Sequence, residues 1–229
     1  MKLTFEQNTA LCLVIGSMLM TLTMVLHPAA GSLAQLVKTK NIIIISHAIA
    51  IFAVPILMVG YLGLMKIFGS QGLFSVLSFI VTAQALVCGL IAATINGLAL
   101  PILAQDLNQN PAASGILPYL VRNDLALNHA FDYVFIGAMC LGTLLWSITL
   151  LISRKLPAFI AYMGIVLFAL SILLLATGIL MINLSGFRFF IVGQVIWILV
   201  VAIALAKSSA KAERLASKNV QSSGNTIQT

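Results

Sequence analysis

Four ionisable side chains in strongly apolar surroundings are the first candidates for chemistry in this sequence: His27, His47, His129 and Asp132. They include every histidine of the chain. Neutral imidazoles with one carboxylate suit zinc, and three protein ligands with an open fourth position suit a catalytic centre. The residue types therefore predict a metal site, with zinc as the metal.

Further polar residues are expected to line the same site or to orient its ligands: Asn96, Asp124, Asn128, Arg188 and Gln194. Asn128 and His129 lie four and three residues before Asp132, so all three can share one helix face. Asn128 or Asp124 would hold a metal ligand in position through a hydrogen bond. The spacing predicts a local polar cluster on one helix.

The elements that carry these residues are too apolar for a soluble protein. The chain of 229 residues is 61% hydrophobic and 7% charged, whereas soluble domains are about 45–50% apolar and about 25% charged. The net charge of +7 comes from residues scattered over short loops and the C-terminal segment. This pattern predicts the lipid bilayer as partner and excludes a nucleic-acid-binding surface.

Six stretches are long and apolar enough to cross a membrane, which needs about 20 residues each. They are residues 9–26, 42–67, 73–103, 126–152, 158–184 and 189–206. The predicted fold is an all-α, integral membrane six-helix bundle over residues 1–206. Residues 207–229, rich in Ser, Lys, Asn and Gln, are predicted to form a basic, disordered cytoplasmic tail.

The distribution of Lys and Arg predicts the orientation. Eight flank the spans on the side of the chain termini: Lys2, Lys66, Arg154, Lys155, Lys207, Lys211, Arg214 and Lys218. Four lie on the opposite side: Lys38, Lys40, Arg122 and Arg188. Because basic residues favour the cytoplasm, both termini are predicted to be cytoplasmic in a cell inner membrane.

This orientation places the three histidines and Asp132 in the outer half of the membrane. Ionisable groups within spans usually face the bundle interior or a wet cavity. We therefore expect an outward-facing polar pocket in which His47, His129 and Asp132 lie close together. The segment 116–127 has the pattern of a short amphipathic helix on the outer surface, which would cover the pocket as a lid.

Small residues predict where helices pack closely. Ala85, Gly89, Ala93 and Gly97 recur every four residues on the third span. Such stripes let helix backbones approach each other where lipid supplies no hydrophobic driving force. The third span is therefore expected at the centre of the bundle.

The connection between the fourth and fifth spans carries a resemblance. It reads Leu144-Leu145-Trp146-Ser147, then Ser153-Arg154-Lys155-Leu156-Pro157, then Gly164. This layout resembles a broad group of small, uncharacterised six-span bacterial inner-membrane proteins, in which a short basic loop and a proline precede the fifth helix. The resemblance implies a six-helix fold in a bacterial membrane and brings no assigned activity.

Four functions remain open from the sequence. The first is a metal-dependent activity at the outer face, and the second is small-solute or proton-coupled transport through Asp132 and a histidine. The third is a redox protein in which His47 and His129 bind haem. The fourth is a structural or accessory protein, where Asp132 pairs with Arg188 or His129 and no chemistry occurs. Enzyme status, substrate, protein partner and oligomeric state stay unassigned.

Overall fold

The computed structural model describes residues 3–28, 33–69, 72–110, 115–178 and 184–225. Eight α-helices cover most of this part of the chain: α1 (Phe5–Leu26), α2 (Leu33–Lys38), α3 (Lys40–Gly69), α4 (Leu73–Thr94), α5 (Leu100–Gln109), α6 (Leu117–Ser153), α7 (Ala158–Ala176) and α8 (Leu184–Asn225). A five-residue π-helix, Ile95–Ala99, joins α4 to α5 without a break. We call it the π segment.

Six helices are long and apolar enough to span a bilayer: α1, α3, α4 continued through α5, α6, α7 and α8. This confirms the predicted all-α six-helix fold of a multi-pass membrane protein. Many large apolar side chains are exposed, among them Phe52 at 71% and Phe189 at 75%. Such a surface is stable in lipid and would be costly in water.

The six spans form a ring in chain order. Each packs against the span before it and the span after it, and α8 returns to α1. The ring interior is filled in one half by large buried side chains such as Tyr61, Trp146 and Trp197. The other half contains the cavity described below.

The prediction that the third span is central is wrong. In its most apolar stretch α6 has 56% of its residues buried, against 28% for the helix Leu73–Gln109. The small-residue stripe instead marks two close side-by-side contacts. A Cβ on Gly89 would lie 3.1 Å from Phe135 of α6, and one on Gly97 would meet His47 of α3.

Two spans are longer than predicted at the same end of the bundle. The helix that starts at Leu73 continues to Gln109, and α6 starts at Leu117. Segment 116–127 is therefore not a separate surface lid but, from Leu117 on, the first turns of α6. At 37 residues each, these helices are about 55 Å long, against a hydrocarbon core of about 30 Å. They must extend beyond the membrane.

The fifth span is shorter than predicted. Helix α7 ends at Ala176, and Gly178 adopts a left-handed backbone conformation with φ of 74°. Its N–H donates to the carbonyl of Leu175 at 3.1 Å. Glycine at this position stops a helix because it adopts positive φ without a steric penalty. Residues 179–183 of the predicted span lie outside the described residues.

The C-terminal segment differs from the predicted disordered tail, since α8 continues unbroken to Asn225. Directly beyond the apolar span, residues 206–216 include four Ala, two Lys, one Glu and one Arg, which are residue types that favour helix. The hydroxyl of Ser209 lies 2.8 Å from that of Thr4, just before α1. Both ends of the chain are therefore on one side, which we call the near end. The opposite side is the far end.

Candidate functional site

A cavity of about 410 Å³ occupies the ring interior at the far end of the bundle. Side chains from five of the six spans line it, all except α7 among the described residues. The lining includes all four predicted metal ligands, His27, His47, His129 and Asp132, together with the predicted neighbours Asn96 and Asn128. These predicted residues thus line one cavity together with many apolar side chains.

The first two spans line this cavity with a polar residue at the far end and apolar residues deeper in the membrane. On α1 and its cap, His27 is followed inward by Met24, Thr23 and Met20, and the Thr23 hydroxyl donates to the backbone carbonyl of Leu19. On α3, His47 is followed inward by Val54. Seven residues separate the last pair, which is about 10 Å along a helix axis.

The next two spans repeat the same order in space. On the third span, Asn96 of the π segment is followed inward by Gly89 and then by Leu86, both on α4. Leu86 is about 15 Å from Asn96 along the helix axis. On α6, Asp132 is followed inward by Phe135. The far end of the cavity therefore carries its ionisable and amide side chains, and Leu125 of α6 and Leu184 and Phe187 of α8 also line it there; we call it the polar end, and the opposite end the apolar end. His129 is exposed at the polar end, which makes this end the mouth.

His47 is held rigidly in the cavity wall. It is 6% exposed, and its Nδ1 lies 2.8 Å from the carbonyl oxygen of Ile43. A Cβ on Gly97 would lie 2.0 Å from Cγ of His47, so the π segment packs its backbone directly on the imidazole. Only glycine leaves room for this contact.

His27 lies beside His47, with ring centroids 4.8 Å apart and ring planes tilted by 59°. Its Nδ1 lies 2.8 Å from the carbonyl oxygen of Pro28. Its charged neighbour is Arg188, which donates to the backbone carbonyl of His27.

Asp132 has neither of the two partners considered from the sequence. Its Oδ2 accepts a hydrogen bond of 2.7 Å from Nδ2 of Asn128, one turn earlier on α6. Arg188 donates instead to the carbonyl oxygen of His27 at 2.7 Å. Neither Arg188 nor Asp124 is among the described residues that line the cavity.

Gln194 lies deeper than predicted. It borders a small cavity of about 20 Å³ just below the apolar end of the main one. The two cavities share three lining residues: Met20, Leu86 and Phe135. Gln194 Oε1 accepts from Thr143 at 2.8 Å, while its Nε2 and the Ser17 hydroxyl are buried without a partner among the described residues.

The arrangement gives the metal prediction no support. Within the described residues, no three His, Cys, Asp or Glu side chains lie close enough together to hold one metal ion. The four candidates thus line one cavity without forming a ligand set. Haem binding through His47 and His129 remains a prediction.

Sequence reasoning missed the apolar half of the cavity. Met20, Met24, Leu86 and Phe135 have the same residue types as the lipid-facing positions around them. The spans are so apolar that no residue-type signal separates an inward-facing side chain from an outward-facing one. Comparison of the chain with known protein families, curated protein sequences and solved structures gave no match.

Proposed function

We propose that this protein binds a small amphipathic molecule in the far-end cavity, with the polar group of the ligand at the mouth and its apolar part toward the membrane centre. The observation that carries this proposal is the polar-to-apolar order repeated on four separate spans. A ligand of matching polarity would satisfy both ends of the cavity. A uniformly polar or uniformly apolar ligand would satisfy only one.

The size of the cavity fits such a ligand. Its volume of about 410 Å³ falls within the range of about 300–1,000 Å³ that is usual for small-molecule sites. Such sites are mostly apolar, with a few polar groups that fix the orientation of the ligand. The lining here has the same composition.

The packing of the near-end half of the ring favours a protein that binds a ligand over one that transports a solute through the bundle. Trp146 and Trp197 are each 1% exposed and Tyr61 is 2% exposed. The rings of Tyr61 and Trp146 stack with centroids 5.9 Å apart. A solute on its way through the bundle would have to displace these side chains, whereas a ligand in the cavity leaves them in place.

The proposed location is a bacterial inner membrane with both termini in the cytoplasm. It is supported by the excess of Lys and Arg on the side of the termini. The mouth of the cavity would then face the outside of the cell. The ligand would enter from that side or from the outer leaflet.

Photolabelling tests the proposal. Alkyl probes with a photoreactive diazirine at the tail and an amine, alcohol or carboxylate head would be added to membranes that contain the protein. We expect saturable labelling at the apolar end of the cavity, on Met20, Val54 or Leu86. Ala93→Phe, which fills the cavity, should abolish this labelling. Ala130→Phe, on an exposed face outside the cavity, should preserve it.

Two results would overturn the proposal. One is labelling by all three probes that is confined to lipid-facing positions and does not saturate. The other is unchanged labelling of the cavity residues in a folded Ala93→Phe variant, since the added ring occupies the space that the ligand needs.

A further inference from the structure

We infer that the head group of the ligand is a protonated amine. This inference rests on the proposed function and adds the chemical class of the ligand. It follows from the charge and hydrogen-bonding capacity of the cavity lining, in which Asp132 supplies a carboxylate and His27 and His47 add imidazole nitrogens, while Arg188 is bound to the backbone carbonyl of His27.

Asp132 is the only Asp, Glu, Lys or Arg among the described residues that line the cavity. The Asn128 amide fixes one oxygen of its carboxylate at 2.7 Å. A carboxylate has about four acceptor sites, so most of its capacity remains for a ligand. A carboxylate in a membrane span requires a compensating partner, and a cationic ligand would supply one.

The two adjacent histidines add acceptors. In both rings Nδ1 lies 2.8 Å from a carbonyl oxygen, of Pro28 for His27 and of Ile43 for His47. A carbonyl oxygen can only accept, so Nδ1 must carry the hydrogen. In a neutral imidazole the other nitrogen, Nε2, is then an acceptor. The backbone thus fixes the tautomer of both rings.

A primary ammonium group matches the carboxylate of Asp132 in sign. It has three N–H donors and no acceptor, so it can pair with Asp132 and still donate to another acceptor of the lining; within the described residues the carboxylate and the two imidazoles do not form a set that surrounds one ion.

Other head groups fit less well. A carboxylate or phosphate head would be repelled by Asp132, and Arg188, which lies outside the described lining, already donates to the backbone carbonyl of His27. An alcohol has one donor and no charge, so it would leave the charge of Asp132 unbalanced. The expected order of affinity is amine, then alcohol, then carboxylate.

The three photoreactive probes provide the test, with chains of equal length. We expect half-saturation of cavity labelling by the amine at a concentration about tenfold lower than by the alcohol, the effect of a hydrogen bond to a charged group. Asp132→Asn, which keeps the shape of the side chain, should remove this preference and leave labelling by the alcohol unchanged. Asp124→Asn, outside the cavity, is the matched control and should keep the preference.

The outcomes separate the two proposals. If amine and alcohol label the cavity at equal concentrations, or if Asp132→Asn keeps the preference for the amine, the amine inference is wrong while ligand binding stands. If no probe labels the cavity, ligand binding itself fails. A preference for the carboxylate would also overturn the inference, because the mouth would then have to carry net positive charge.

Discussion

Some buried hydroxyl groups in this bundle donate a hydrogen bond to a backbone carbonyl of their own helix, and others have no partner among the described residues. Ser147 and Ser17 are both fully buried at 0% exposure. The hydroxyl of Ser147 donates to the carbonyl of Thr143 at 2.7 Å. The hydroxyl of Ser17 has no partner among the described residues and borders the small inner cavity. An unsatisfied buried group costs about 1–3 kcal/mol, so the two serines should respond differently to removal.

We predict that Ser17→Ala raises the free energy of unfolding by about 1 kcal/mol, because it removes an unsatisfied polar group. Ser147→Ala should lower it by about 1 kcal/mol, because a buried hydrogen bond is lost. Denaturant unfolding of the purified protein in detergent measures both changes. A loss of stability in Ser17→Ala equal to that in Ser147→Ala would contradict the prediction. It would mean that a water molecule in the small cavity satisfies Ser17.

Residue type led to part of the cavity lining and not to the rest: of the residues expected there, Asp124, Arg188 and Gln194 do not line the cavity. His27, His47, Asn96 and Asp132 all line it, because such residues are too costly to face lipid and must turn inward. The positions of these residues along the chain did not predict the distances between their side chains. A metal site shared by them therefore does not follow from their presence in one cavity. The apolar half stayed hidden: Met20 lines the cavity, whereas Met18 is 58% exposed. Only the rotation of the helix distinguishes the two methionines.

At the scale of elements, the π segment sets the shape of the mouth. A π-helix holds one extra residue in a helical turn and often marks a functional site. Here it places Asn96 in the cavity wall and Gly97 against His47. The contact between α3 and the helix that starts at Leu73 depends on the missing side chain of Gly97.

We predict that Gly97→Ala destabilises the protein by about 1–3 kcal/mol, the usual cost of overpacking. The added methyl would lie 2.0 Å from Cγ of His47, so the imidazole or the helix must move. Cavity labelling by the amine probe should weaken as well. Gly137→Ala on α6 is the control, since a Cβ there meets nothing within 4 Å. Equal thermal stability of the two variants would show that the contact tolerates a side chain.

Helix boundaries were the least predictable part of the fold. The amphipathic pattern of segment 116–127 looks the same in a separate surface helix as in the first turns of a long one, so the sequence did not reveal that α6 is continuous. The early end of α7 could have been predicted from Gly178, whose positive φ stops the helix. The apolar residues that follow Gly178 in the sequence made the span look longer. Composition also predicted a disordered tail where α8 continues to Asn225.

At the scale of the whole molecule, the ring closes through its first and last spans. Helix α8 packs beside α1, and Gln7 Nε2 donates to Oε2 of Glu213 at 3.4 Å. The even number of spans predicted that both termini share a side, and the contact of Thr4 with Ser209 agrees. The closure itself had no sequence signal, because it joins residues about two hundred positions apart along the chain. This closure places the cavity opposite to the termini.

The side of the membrane that the cavity faces decides where the ligand comes from. In a variant without Cys12, Cys88 and Cys140, we predict that Gln109→Cys at the far end reacts with a membrane-impermeant maleimide in intact cells. Ser208→Cys at the near end, also exposed, should react only after the membrane is permeabilised. The reason is the excess of Lys and Arg at the near end, which favours the cytoplasm. The reverse pattern would turn the mouth toward the cytoplasm, so the ligand would have to come from inside the cell.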